Sequence, residues 1–318
     1  MTDTLNIPFA RFQVGLELES DKPVSRFLEA TLRGGFGYTL RALVCMTRAQ
    51  SCGNCLFGRS CAYRFLFETP PPGDAPRMRS YRAIPRPFTF RASQSGSSLA
   101  VQLTLFGGAL GFLPYFVYTF DKLGRKGLGG NGVRFRVREV LHKERVVYPL
   151  NGTVACDVLP DNLVLRPGKP GQGSVSLLFE TPLLMRKGGQ FLHRFDSGVF
   201  FSTLLRRITN LNAFFGKDKS ALTDPDVYLA PARDLEVRSL MEIRERSRFS
   251  TRQKKRLDYS GLVGEVVLTG ETGTLFPLLR AGELTGVGKN TAFGGGVYRM
   301  RIMKGSADSV SVKEAVAA

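Results

Sequence analysis

Four of the chain's five cysteines fall in one short stretch, CMTRAQSCGNCLFGRSC, from Cys45 to Cys61; Cys156 stands alone. Cys52 and Cys55 form a C-x-x-C turn, with Cys45 and Cys61 on either side. Thiolates so spaced can close a tetrahedral zinc site. The outer spacing is not that of a standard zinc ribbon, so three readings stand. They are a structural zinc on Cys45, Cys52, Cys55 and Cys61, an iron–sulfur cluster, and reduced thiols that pack a loop. No histidine or carboxylate at suitable spacing offers an open catalytic position, so a metal here would be structural.

Lys and Arg number 45 against 27 Asp and Glu, a formal net charge of +18. That is the electrostatic footprint of a polyphosphate partner. Nucleic acid is favoured over an anionic membrane surface, because no clear basic amphipathic helix or lipid anchor is found. The chain holds two histidines, which nearly excludes a mechanism that needs several. RNA can be cut without metal. A base takes the ribose 2′-hydroxyl proton, an acid protonates the leaving 5′ oxygen, and a cation stabilises the phosphorane. His193, beside Arg194 in GGQFLHRFDSG, is one candidate for such work, although a lone histidine is more often structural. His142, in VLHKERVV, reads as a surface residue. Tyr38 lies in TLRGGFGYTLRALVC between Arg33 and Arg41. Its hydroxyl could orient a 2′-hydroxyl, and both arginines share one helical side if the helix runs through the glycines. The plainer reading is a tyrosine that packs and hydrogen-bonds.

Two stretches carry the candidate binding residues. RERSRFSTRQKKR at 244–256 is a strongly basic run with Phe249 inside it. Most charge runs are solvated loops or helix faces. Against that background charge, Arg248, Arg252, Lys254 and Lys255 are expected to contact phosphates. The second stretch is TGVGKNTAFGGGVYR at 285–299. A Walker or dinucleotide loop lies between a strand and the helix that follows it, whereas this loop precedes a strand. Gly288, Lys289, Asn290, Thr291 and Phe293 instead suit an RNA-backbone clamp, with backbone amides, a cation, a hydroxyl and a stacking ring.

Positioning these residues takes a repeated unit. IPFARFQVGLEL alternates as a strand. A helix opens at Pro23, is interrupted by the glycines at 34–37, and resumes over 38–45. A proline-rich loop occupies 69–76. Leu99–Phe106 reads as a strand, Gly111–Leu123 as a helix, and 134–141 as a strand. The order returns with a strand at 174–185, a helix at Phe195–Phe215, irregular chain around Pro225 and Pro231, a strand at Gly261–Thr269 and a helix at Thr274–Leu284. LGRKGLGGNGVRFRV, with Arg125 and Lys126 as further RNA contacts, matches LTGVGKNTAFGGGVYRM in place and kind. The expected fold is α+β, two tandem ferredoxin-like (βαββαβ, RRM-like) domains. The first covers 1–160 with the cysteine loop 45–61, and the second covers 172–305 with the glycine-rich loop 285–296. PGKPGQG at 167–173 reads as the linker, and 306–318 as a flexible tail. No apolar run is long enough to span a bilayer. With no signal-peptide layout at the N-terminus, the expected location is cytoplasmic.

Together the motifs resemble the CRISPR-associated precursor-RNA processing endoribonucleases of the RAMP (repeat-associated) superfamily. The carriers are LRGGFGYTLRALVC and CGNCLFGRSCAYRFLFETP at 32–70, LGRKGLGGNGVRFRV, LLRRITNLNAFFG at 204–216, RFSTRQKKRLDYSGLVGEVVLTG at 248–270, and GVGKNTAFGGGVYRM. The terminal glycine loop is the most specific motif, and the cysteine loop narrows the resemblance to one branch. It implies binding of a CRISPR repeat hairpin and cleavage of precursor crRNA by 2′-hydroxyl attack, leaving a 2′,3′-cyclic phosphate, with no catalytic cofactor. It further implies a guide RNA held or passed to an interference complex. Histidine is common in that family at the places of Tyr38 and Gly286, so cleavage falls to Tyr38 with nearby arginines, to His193, or is lost. A non-cleaving crRNA-binding subunit is the alternative.

Overall fold

A computed structural model describes residues 4–25, 28–48, 51–53, 55–58, 60–149, 153–154, 158–245, 247–250 and 255–303. The expected tail at 306–318 lies outside the described residues, as does Cys156.

Alternating burial makes Leu5–Leu18 the first strand, β1. Helix α1 (Leu28–Val44) follows, then a π-helical turn at Arg64–Glu68, β2 (Phe88–Ser95), β3 (Ser98–Phe106), α2 (Leu113–Lys126), β4 (Phe135–His142), β5 (Arg145–Tyr148) and β6 (Asp161–Leu165). The sheet runs β2-β3-β1-β4-β5, with β6 pairing the start of β1. Its first four strands have the order of a βαββαβ unit. The second half gives β7 (Gln172–Leu183), a small hairpin of β8 (Arg186–Lys187) and β9 (Gln190–Phe191), α3 (Ser197–Phe215) and α4 (Asp226–Arg233). Then come β10 (Glu236–Arg244), β11 (Ser247–Ser250), β12 (Lys255–Asp258), β13 (Gly261–Glu271), α5 (Phe276–Thr285) and β14 (Tyr298–Met303). The second sheet, β10-β13-β7-β14, repeats the first order. The fold is α+β, two tandem ferredoxin-like domains.

Three expectations change, the first being that Pro23 does not open a helix, since residues 23–25 are irregular and α1 is helical from Leu28. Helix α1 runs unbroken through Gly34, Gly35 and Gly37. These glycines do not end the helix; they let it be approached. A β-carbon on Gly37 would stand 2.8 Å from the Phe67 ring. The chain around Pro225 and Pro231 is helical rather than irregular. The Pro225 carbonyl accepts the amides of Tyr228 and Leu229 at 3.1 Å, and the buried Tyr228 and Ala232 hold α4 down despite Pro231 inside it.

The two cores meet along β1. Ala10 to Leu18 enter the first core, with Phe36, Phe88, Phe90 and Phe116. Leu5 and Ile7 enter the second, beside Phe200, Leu204 and Leu278. The same end of β1 is tied to α3: the Asn6 amide donates to Asn212 Oδ1 at 3.2 Å, and the Lys217 amide donates to the Asn6 carbonyl at 2.9 Å. The linker at 167–173 is also pinned, with the Gly168 amide on the Thr274 carbonyl at 3.1 Å and the Gly171 amide on Glu271 at 3.0 Å.

Candidate nucleic-acid interface

Arg33, Tyr38 and Arg41 leave α1 towards three different neighbours. Arg33 is half-buried, its guanidinium 4.2 Å from the Phe293 ring and 4.8 Å from the Phe67 ring. It joins the first domain to the glycine-rich loop of the second. Arg41 lies over Tyr63 at 5.7 Å and faces Cys45. Tyr38 is 66% exposed, and the Lys126 ammonium sits 4.2 Å from its ring. An exposed phenol beside a cation is thus built from α1 and the last residue of α2. Arg125, one residue earlier, pairs with Asp121 at 3.1 Å.

His193 is exposed, between β9 and α3. Asp196 caps the helix that follows, accepting the Val199 amide at 2.9 Å and the Lys187 ammonium at 2.9 Å. The Val199 amide foremost, then Lys187, holds its carboxyl below the usual range, against slight burial. Among the described residues no hydrogen bond, ion pair or ring contact joins His193 to Tyr38. His142 is not on the surface. It is buried against Phe12, with Nδ1 3.0 Å from the Arg11 carbonyl and Nε2 3.3 Å from the Leu159 carbonyl. Alternation along β4 turns it inward.

The glycine-rich loop serves the protein's own frame more than expected. The amides of Gly286, Val287, Lys289, Phe293, Gly294, Gly295 and Gly296 all donate to backbone carbonyls, including Leu184 and Pro182 of β7 and the turn after it. Those groups are not offered to an anion. Thr291 is buried, and Phe293 meets Tyr259 at 5.7 Å besides Arg33. Gly294 has φ +77°, and a β-carbon there would come within 2.9 Å of Glu29 in the first turn of α1. Lys289 is the cation of the loop. Partial burial and then neighbouring Arg186 lower its pKa, and Arg186 itself rests on Phe191 at 4.0 Å. Gly288 and Asn290 form the bend beneath it, Asn290 in the left-handed region at φ +65°.

The basic run at 244–256 is neither a loop nor a helix face over its described part. Strands β11 and β12 pair Arg248 with Leu257 and Ser250 with Lys255. This hairpin prolongs the β10–β13 pair, which ends at Arg244 opposite Gly261. Arg252 and Lys254 lie outside the described residues.

All four loop cysteines line one cavity of about 370 Å³, with Leu43, Phe57 and Tyr115. Thr47 Oγ1 lies 4.0 Å from Cys45 Sγ and 3.7 Å from Cys55 Sγ. Among the described residues, no three of His, Cys, Asp or Glu converge closely enough to hold a metal. The expectation of zinc therefore rests on spacing alone.

One basic segment carries a signal that the proline-rich loop before it obscures. RMRSYRAIPR at 77–86 repeats arginine around Tyr81. Arg186 is a second cation that sequence reasoning missed.

Two ferredoxin-like domains in tandem, with a basic hairpin arm and a glycine-rich loop at their junction, define the architectural class. Residues 177–298 match the family described as CRISPR-associated endoribonuclease Cas6, and residues 7–155 match a family described as an N-terminal domain. That match spans the C-terminal domain, so residues 177–298 are similar to the CRISPR-associated endoribonuclease Cas6 family. A Cas6 product complex superposes with a TM-score of 0.53 at 16% identity, covering 92% of this chain and 100% of that one. Cas6 of Thermus thermophilus gives 0.50 at 16% identity, over 95% and 100%. A partial Cas6-RT-Cas1–Cas2 complex gives 0.52 at 8% identity, over 96% and 48%. These likenesses concern the fold. An uncharacterized protein of Archaeoglobus fulgidus is 32% identical over 104 residues, 32% of this chain. The chain covers 36% of that curated relative's length. Among the described residues, no helix is long and apolar enough to cross a membrane.

Proposed function

We propose that the protein binds CRISPR repeat RNA and cuts precursor crRNA without a catalytic metal. The observation that carries this reading is the basic two-stranded arm β11–β12, rising from the C-terminal sheet in the part of the chain that matches the family. A ribbon with Arg248, Lys255 and the adjoining Arg252 and Lys254 suits the phosphates of a short RNA helix, whose deep major groove is read through its backbone. Lys289 and Arg186 extend the cationic surface at the domain junction.

In the cut itself the ribose 2′-hydroxyl gives its proton to a water molecule, its oxygen attacks the phosphorus, the 5′-oxygen leaves with a proton from an acid, and a 2′,3′-cyclic phosphate remains. Tyr38 orients the 2′-hydroxyl, and Lys126 meets charge that develops on the phosphorane. His193 is the candidate for protonating the leaving oxygen. Arg33 and Arg41 are held against aromatic rings and the cysteine loop, so their part is to support α1. The product guide RNA stays bound or passes to an interference complex.

The test is incubation of the purified protein with its cognate repeat RNA in chelator. Product ending in a 2′,3′-cyclic phosphate is expected. Saturated binding with no product would replace this reading by that of a non-cleaving crRNA subunit. The alternative is favoured by Tyr38 and Gly286 standing where the family commonly has histidine.

A further inference from the structure

The loop that runs from the π-helical turn to β2 crosses from the first domain to α3 of the second. Ile84 inserts into the second core, and Arg77 Nη1 donates to Thr209 Oγ1 of α3 at 3.1 Å. Two residues back along α3, Arg207 points into this seam. Its Nε and Nη2 are buried and have no hydrogen-bond partner among the described residues. Burial, with the neighbouring Arg86 guanidinium second, lowers its pKa to about 10. It still carries full charge at neutral pH. A guanidinium withdrawn from water needs an acceptor, and a second cation beside it makes the need greater. Among the described residues no carboxylate acts on Arg207; the one charge that does is Arg86. Arg207 and Arg86, neighbours at this half-buried seam, have the chemistry of an oxyanion clamp, since the planar fork matches a phosphate's oxygens.

We propose that the seam between this loop and α3 is a phosphate-binding site, with Arg207 and Arg86 holding one phosphate group and Arg77 at its edge. The phosphate's carrier is an RNA strand or free inorganic phosphate. Exposed Arg79, Tyr81 and Arg82 continue from the seam along the surface, and cations beside a solvent-facing ring suit a single strand. Only that identity of the carrier rests on the function proposed above; the site itself does not.

Thermal melts of RNA-free protein in sodium phosphate and sodium chloride, at matched ionic strength, test the site. Phosphate is expected to raise the wild-type Tm, and Arg207→Met is expected to abolish the rise. Arg86→Met is the second variant, and either alone carries the result if the other fails to fold. An equal Tm in the two salts, or a full phosphate shift in a folded variant, overturns the proposal. Titration of repeat RNA with single-stranded flanks then identifies the carrier. At least about a fivefold loss of affinity in Arg207→Met, with the salt slope reduced by about one, points to RNA. Unchanged RNA affinity together with a lost phosphate shift points to the free ion, and the site stands.

Discussion

The guanidinium of Arg33 lies 4.2 Å from the ring of Phe293, and this pair joins α1 of the first domain to the glycine-rich loop of the second. A cation held over a ring at a half-buried place contributes about 1 kcal/mol. Phe293→Leu keeps the apolar bulk and removes the ring's attraction. It is expected to lower thermal stability by that order, with RNA cleavage per folded molecule little changed. A loss of cleavage with no loss of Tm would instead return Arg33 and Phe293 to the reacting centre.

Tyr38→Phe removes one hydroxyl from an exposed position. Cleavage is expected to slow by at least about tenfold, roughly 1.4 kcal/mol of barrier, while RNA affinity holds. Lys126→Ala is expected to slow it as well, and His193→Ala tests the leaving-group acid. Single-turnover rates of all three at wild-type speed would remove these residues from the mechanism.

Replacing Lys254 and Lys255 by alanine is expected to flatten the salt dependence of RNA affinity, by about one unit of slope for each phosphate that a lysine no longer neutralises. Filter binding from low to moderate salt measures it. An unchanged slope would mean that the hairpin arm lies off the RNA.

The loop thiols differ. Slight burial opposes ionisation of Cys45, but the Arg48 amide, the Thr47 hydroxyl and Arg41 outweigh it and lower its pKa. Burial, then the charge of Glu68, raises that of Cys52. At neutral pH in chelator, Cys45 should alkylate well ahead of Cys52, because the thiolate is the nucleophile. Site-resolved mass spectrometry reads the order. The structural zinc expected from the spacing would mask all four thiols, so equal labelling with and without zinc would dismiss it.

Asp196 has a folded pKa below its unfolded one, set first by the Val199 amide and then by Lys187. The stability it adds is therefore present above the unfolded carboxyl pKa and fades as pH falls through the folded value. Asp196→Ala should cost about 1 kcal/mol at neutral pH, as loss of a helix cap does. Melts taken down into the acid range should show the difference closing; a gap that persists in strong acid would point to packing rather than charge.

The tandem fold is legible in the sequence because β1, β7, α3 and the two glycine loops keep clean periodicity and repeat in order. The helix through Gly34–Gly37 reads as interrupted, yet it is not. Gly37 answers to the Phe67 ring and Gly35 to Leu123 and Leu128, neighbours that sequence spacing does not reveal. The same limit hides the site's arrangement. Arg33, Tyr38 and Arg41 share a short sequence, yet partners from distant segments draw them apart. The glycine-rich loop is legible as a functional junction, but its amides look free because their acceptors are partly the loop's own folded-back carbonyls and partly the distant Leu184 and Pro182. Arg207 sits in an amphipathic helix like any surface arginine, and its neighbour Arg86 comes from the crossing loop, far away in sequence.

The strand β1 belongs to both hydrophobic cores, with Leu5 and Ile7 in one and Ala10 to Leu18 in the other. A gene duplication supplies two units that can each fold alone, and such units can later drift, swap or be lost independently. Here a single strand's first residues complete the second unit. The second half cut free at the linker would keep an apolar hole where Leu5 and Ile7 sat, and the first would bare those two side chains. The shared strand therefore couples the stability of the second unit to the folding of the first.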